Sequence, residues 1–161
     1  MQNEYMWDKT APKESVEEIA SFIAKEYFTF TNGTIISNEK LQYMLFFCIR
    51  DASAMVNHPI VNEIFEIYNV IYIKINAKIS DISVLLEKEP TIIDPFVKMA
   101  IRTVLPNYAI YDTWVLERMY CDMAEFTLGK YVNINEKYKF TFKDMYKYTQ
   151  ANPPHNYYDE D

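Results

Sequence analysis

The chain has 161 residues, half of them hydrophobic, a formal net charge of −7 and only two glycines, Gly33 and Gly129. At this length a single domain encloses about 70% of its unfolded surface. The scarcity of glycine favours helices over tight left-handed turns, and neither glycine stands in a cluster that could cradle a phosphate. With a pI near 4.9 the chain as a whole repels nucleic-acid phosphates, so direct nucleic-acid binding is not expected. The negative balance either serves solubility or draws a basic partner surface.

Taken in chain order, residues 1–12 carry no periodicity and read as an N-terminal extension. They contain no apolar run of the kind a signal peptide needs, and no later stretch reaches the ~18 uncharged apolar residues of a membrane span. A cytoplasmic protein with no membrane partner is expected. Ser15 followed by Glu18 forms a capping pattern ahead of Val16, Ile19, Ala20, Ile23 and Tyr27 at helical spacing, which predicts a first helix broken at "TNGT". Ser37 then caps a second helix, "NEKLQYMLFFCIRDASAMV". Its principal stripe is Leu41, Leu45, Cys48, Ala52 and Met55, and Met44, Phe46, Phe47 and Ile49 widen that stripe until little polar face remains. Such a helix belongs at the centre of a fold.

Residues 57–76, "NHPIVNEIFEIYNVIYIKIN", fit two periods. Ile60, Ile64, Ile67, Ile71 and Ile75 recur as on one helix face, while Val61, Phe65, Ile67, Ile71, Ile73 and Ile75 fall on one side of a strand. The abundance of β-branched residues favours extended structure. A short helix follows in "SDISVLLEKE". Asp94 and Pro95 supply a cap and a first-turn proline for "FVKMAIRTVL", which stops before Pro106. Asp112 caps a further helix with a stripe of Leu116, Met119, Tyr120, Met123 and Phe126, ending close to Gly129. The segment "KYVNINEKYKFTF" alternates as a small hairpin would, Thr141 and Asp144 open a last short helix, and residues 151–161 read as an acidic flexible tail. The fold class expected is mainly α: one compact helical domain over residues 13–150 around a central apolar helix, with one or two short strands or a small hairpin. Cys48 and Cys121 lie within apolar helical patterns and read as buried reduced thiols.

The order of these segments resembles the Panacea-domain family of SocA- and GepA-like antitoxins. "ISNEKLQYMLFFCIRDA" is similar to the family's I-(S/T)-x-x-K-L-Q-K-L-L-Y-(Y/F)-A through Ile36, Ser37, Leu41, Gln42, Leu45 and Phe46. "NHPIVNEIFEIYNVIYI" follows the family's G-K-P-L-F-x-E-x-I-E-A-W-x-Y-G-P-V through Pro59, Ile60, Val61, Glu63, Phe65, Glu66 and Tyr68. In "FVKMAIRTVLPNYAIYDTWVLERMY" Asp112 stands where the family has a capping serine, and Leu116 stands at its leucine. "FTFKDMYKYT" looks like the family's I-x-x-E-x-I-x-x-Y-F ending. The likeness spans roughly residues 14–150. In one departure, Ile71 and Tyr72 replace the family's Gly-Pro dipeptide, removing the turn that pair would impose.

The resemblance implies a non-catalytic antitoxin that neutralises a partner protein by direct binding, encoded on a phage or other mobile element, with no cofactor. Such a binder needs aromatic anchors on its surface. Candidate protein-binding residues are Glu63, Glu66, Tyr68, Ile71, Tyr72, Tyr131, Tyr138, Tyr157 and Tyr158; of the 14 tyrosines, many crowd the C-terminal part. Core packing and compositional bias are the plainer explanation of those tyrosines. The alternative function is an acidic phage anti-defence protein, an anti-CRISPR or anti-restriction decoy occupying the nucleic-acid groove of a host effector, suggested by the −7 charge and the "YYDED" terminus. A decoy requires a continuous acidic stripe, whereas the acids are dispersed apart from the tail. Catalysis finds little footing, since His58 precedes a proline, His155 lies in the tail, and apolar surroundings hold a cysteine thiol protonated. Asp122 and Glu125 are three apart on one helix, but without a histidine or a second pair a solvated face is the simpler reading.

Overall fold

The computed structural model describes residues 14–61, 65–68, 72–75, 80–89, 91, 94–128 and 137–140, the strands and residues 123–128 by their backbone. The expected extension, last helix and tail lie outside them. The fold is mainly α. Helices α1 (Val16–Phe30), α2 (Asn38–Val56), α3 (Ile82–Glu87), α4 (Pro95–Val104), α5 (Pro106–Ala109) and α6 (Thr113–Leu128) accompany strands β1 (Phe65–Tyr68), β2 (Tyr72–Ile75) and β3 (Lys137–Phe140).

Three of the caps expected from sequence form at the expected places. Ser15 Oγ accepts the Glu18 N–H at 3.1 Å, and Ser37 Oγ accepts that of Lys40 at 3.1 Å. Asp94 Oδ1 accepts the Phe96 N–H at 2.8 Å, with Pro95 in the first turn, where no amide hydrogen is needed. α1 stops as Asn32 and then Gly33 take positive φ, with the Gly33 N–H returning to Phe28 O at 2.8 Å. At φ 110 a side chain at position 33 would be strained. α2 ends the same way on a left-handed Asn57, and the His58 N–H bonds to Ser53 O at 3.1 Å.

α2 is the centre. It packs against α1, α4, α5 and α6 and comes beside β2, and Leu41, Tyr43, Met44, Leu45, Phe46, Phe47, Cys48, Ile49 and Ala52 are all buried. The sequence places Met55 in its principal stripe, but the structure leaves that side chain half exposed. At this last turn α2 and the start of α4 leave an open groove between them, and Met55 lines it. The first-helix stripe of Val16, Ile19, Ala20, Ile23 and Tyr27 is buried throughout, as are Leu116 and Tyr120 of α6. Tyr120 meets Phe46 edge to face at a centroid distance of 5.1 Å, a geometry in which the positive rim of one ring faces the negative face of the other.

The ambiguous middle of the chain resolves in favour of strands, though not as one long strand. β1 and β2 run antiparallel with Phe65 opposite Ile75 and Tyr68 opposite Tyr72. β3 joins the other edge of β1, with Phe65 opposite Phe140, giving the order β2-β1-β3. Alternation in "KYKF" thus marks a true strand whose partner is β1. Residues 130–136, the other half of the expected hairpin, lie outside the described residues.

Three carboxylates, Glu17 and Glu18 in the first turn of α1 and Glu14 just ahead of its cap, hold the backbone on either side of α3 and the N-cap of α4. Glu17 accepts the Ser80 N–H at 2.6 Å, Glu18 that of Thr91 at 2.8 Å, and Glu14 that of Asp94 at 3.3 Å. Lys88 bridges Glu18 and Glu17 at 2.9 and 3.4 Å. Beneath the clasp Leu85 is buried, and Ser21 Oγ donates to its carbonyl at 2.7 Å. The hydrogen bonds from Ser80 hold the Glu17 carboxyl below its ordinary 4.5, and the bond from Lys88, followed by that from Thr91, does the same for Glu18.

Two measurements check this arrangement. Leu45→Ala, at a fully enclosed position, should lower stability by about 2–5 kcal/mol in denaturant titration; an unchanged midpoint would remove Leu45 from the core. Because Glu17 and Glu18 have folded-state values below their unfolded ones, the stability they contribute is present above about pH 4.5 and is lost as pH falls through the lowered values. The double variant Glu17→Gln, Glu18→Gln should be less stable at neutral pH and should lose stability less steeply on acidification. A wild-type slope in that variant would contradict the clasp.

Candidate protein-binding surface

The sheet determines which of the residues expected at a binding surface come together. Glu66 and Tyr68 stand on β1, Tyr72 on β2 and Tyr138 on β3. Successive strand residues alternate between faces and directly opposed residues share one. The register pairs Tyr68 with Tyr72 and Ile67 with Tyr138, so Glu66, Tyr68 and Tyr72 lie on one face and Tyr138 on the other. Glu63, Ile71, Tyr131, Tyr157 and Tyr158 lie outside the described residues.

A second surface was not anticipated from sequence. The end of α2 and the start of α4 border an open groove of about 370 Å³ lined by Met55, Val56, His58, Asp94, Phe96, Met99 and Ala100. Phe96 is 68% exposed and Met99 62%. The sequence does carry a signal for it. Val97, Ala100, Ile101 and Val104 form the buried stripe of α4, and Phe96 and Met99 sit beside that stripe with no helical reason to be apolar. Ile110, Tyr111 and Trp114 add a further exposed apolar group at the corner between α5 and α6, with Trp114 at 69% exposure.

The charged residues inside α2 do something different. Arg50 and Asp51 are both buried, and Arg50 Nε donates to Asp51 Oδ1 at 2.8 Å. Arg50 Nη2 donates to the Tyr108 hydroxyl at 2.9 Å, and that hydroxyl in turn donates to Asp51 Oδ2. The Tyr108 ring stacks on Phe47 with centroids 4.7 Å apart, and the guanidinium lies over the same Phe47 ring. Burial, and then the Asp51 charge, pushes the Tyr108 phenol well above its ordinary value, so it stays a neutral donor. Lys40 is held similarly, donating to Ala109 O at 3.0 Å and to the Tyr27 hydroxyl at 3.2 Å. These groups tie α2 to α5 and to α1. Adjacent opposite charges within "CIRDA", on a helix with no polar face to carry them, are the sequence signal that reveals such a pin.

The nucleophile and metal candidates are placed as follows. Cys48 is fully buried, and burial pushes its thiol up; Cys121 is partly buried. The His58 ring nitrogen lies 3.0 Å from Pro59 O. Asp122 is exposed. Among the described residues no group of three or more His, Cys, Asp and Glu side chains gathers as metal ligands would, and no helix is long and apolar enough to cross a membrane. No protein-family model, curated protein or solved structure matches the chain.

Proposed function

We propose that this chain is a non-catalytic protein-binding inhibitor of the antitoxin type, a divergent relative of the Panacea-domain proteins, which neutralises a partner protein by direct contact. The observation that carries the reading is the apolar surface of the helical body. Met55, Phe96 and Met99 gather about one groove instead of lying scattered, and gathered apolar groups mark interaction sites where single ones do not. Large apolar side chains in a concave setting are the usual anchors of a protein interface. The sheet face bearing Tyr68 and Tyr72 supplies further aromatic anchors.

The chain's charged interior fits the same reading. Arg50 and Asp51 are enclosed and engaged with each other and with Tyr108, which suits a structural pin. For the anti-defence decoy, five acids among the described residues are already engaged, while Glu39, Asp81, Glu87, Glu89, Asp112 and Asp122 are exposed. Glu14, Glu17, Glu18, Glu26 and Asp51 each accept hydrogen bonds within the fold, and a phosphate mimic needs its carboxylates arrayed toward solvent.

The test is neutralisation of the growth-inhibiting product of an adjacent reading frame, co-expressed with this chain. Wild type should restore growth and bind that product directly. Tyr72→Ala and Phe96→Ala should each keep the wild-type thermal midpoint and weaken binding by more than ~1 kcal/mol. A destabilised Tyr72→Ala that binds normally would assign Tyr72 to the core. Normal neutralisation by a Phe96→Ala, Met99→Ala double variant would remove the groove from the binding surface.

A further inference from the structure

Charge is distributed unevenly around α4. Phe96, Met99 and Thr103 follow one another at helical spacing along one flank of its buried stripe, and Lys98 and Arg102, four apart, lie on the other. Arg102 Nε donates to Glu26 Oε1 of α1 at 2.9 Å, and its guanidinium lies over the Phe22 ring, so the basic flank is turned toward α1. The opposite flank borders the groove at the end of α2, which no lysine or arginine lines among the described residues.

Asp94 does line that groove. Its Oδ1 accepts the Phe96 N–H at 2.8 Å, and among the described residues its carboxylate makes no ion pair. Glu14 Oε1 accepts the Asp94 N–H at 3.3 Å, which brings a second carboxylate to this end of the groove. Across from them Met55, Phe96 and Met99 present apolar surface, and the two thioethers adapt readily to the shape of what they meet. A small ligand would remain largely in water here, because Phe96 and Met99 are mostly exposed and a small-molecule site encloses most of its ligand. A chain segment has no such difficulty, since it continues past the ends of the groove. The net charge of −7 favours encounter with a basic one.

We propose that the groove between α2 and α4 docks a basic, amphipathic segment of the partner protein, its apolar side chains against Met55, Phe96 and Met99 and a lysine or arginine at Asp94. The inference deepens the reading of the chain as a protein-binding inhibitor and rests on it. Asp94 permits a clean test, because asparagine caps a helix as well as aspartate does. Asp94→Asn therefore removes the charge and keeps the start of α4. Glu39, exposed in the first turn of α2, supplies the control. It stands about 24 Å from Met55 along the helix, well beyond the Debye length of about 8 Å at physiological salt.

The experiment titrates the full chain with a fluorescein-labelled amphipathic peptide of leucine and lysine, following anisotropy at low and at physiological salt, with the leucine–glutamate and serine–lysine analogues as further probes. The leucine–lysine peptide should bind, more weakly as salt rises, and each analogue should bind less well than it does. Asp94→Asn should keep the wild-type thermal midpoint and weaken that binding about twofold to fivefold, and Glu39→Gln should leave it unchanged. Phe96→Ala with Met99→Ala should weaken it about tenfold or more. Should Asp94→Asn lower the midpoint, Asp94→Ser, which also caps, carries the comparison. Absence of leucine–lysine binding, equal binding of either analogue, or equal effects of Asp94→Asn and Glu39→Gln would each overturn the proposal. If neutralisation still depends on Phe96 and Met99 while the leucine–lysine peptide fails to bind, the basic character assigned to the partner is wrong and the antitoxin-type function stands.

Discussion

A helix that is apolar on every side has to be enclosed on every side, and α2 imposes that requirement on the rest of this fold. Its buried side chains from Leu41 to Ala52 point in all directions around the helix axis, so no single neighbour could cover them. α1, α4, α5 and α6 each cover part. The neighbours are short or amphipathic because each needs only one apolar face to meet α2, and their other faces are free to carry charge or a binding surface.

Enclosing α2 also encloses Arg50 and Asp51, and leaving either charge unpaired there would cost several kcal/mol. The structure answers with hydrogen bonds that link Arg50 and Asp51 to each other and to Tyr108, set on the stacked Phe47 ring. Such a pin adds little net stability, since desolvation offsets much of the attraction. Its geometric consequence is a link between α5 and this turn of α2, since the Tyr108 hydroxyl bonds both Arg50 and Asp51. Lys40, reaching Ala109 O and Tyr27, fixes the same corner from the other end.

What could be read in the sequence follows from how local each determinant is. Ser15, Ser37, Asp94 and Pro95 act within one turn of their own helices, and the helix starts they imply are the ones found. The strand pairing of residues 65–75 was open in the sequence because isoleucines there satisfy both periods; partners distant in sequence decide it, β3 pairing with β1 across some seventy residues. Met55 illustrates the opposite failure. Periodicity extends a stripe to the last turn of a helix, but burial depends on whether the neighbour there closes over it, and α4 leaves an open groove at Met55. Of the residues expected at a binding surface, the register brings Glu66, Tyr68 and Tyr72 to one face and sends Tyr138 to the other. The groove at Phe96 and Met99 was legible only as apolar residues off the buried stripe of α4.

The surfaces that bear on function hang from this enclosed helix: the groove uses the exposed end of α2, and β2 lies beside it. Native-state hydrogen exchange tests the arrangement most directly. If α2 is the enclosed centre, its amides from Leu41 to Ala52 exchange last, only through global unfolding, while those of the α3 segment, held by carboxylates at the surface, exchange earlier through local opening. Exchange of the α2 amides as early as those of α3 would contradict the account, because a helix that opens locally cannot be the element on which every neighbour depends.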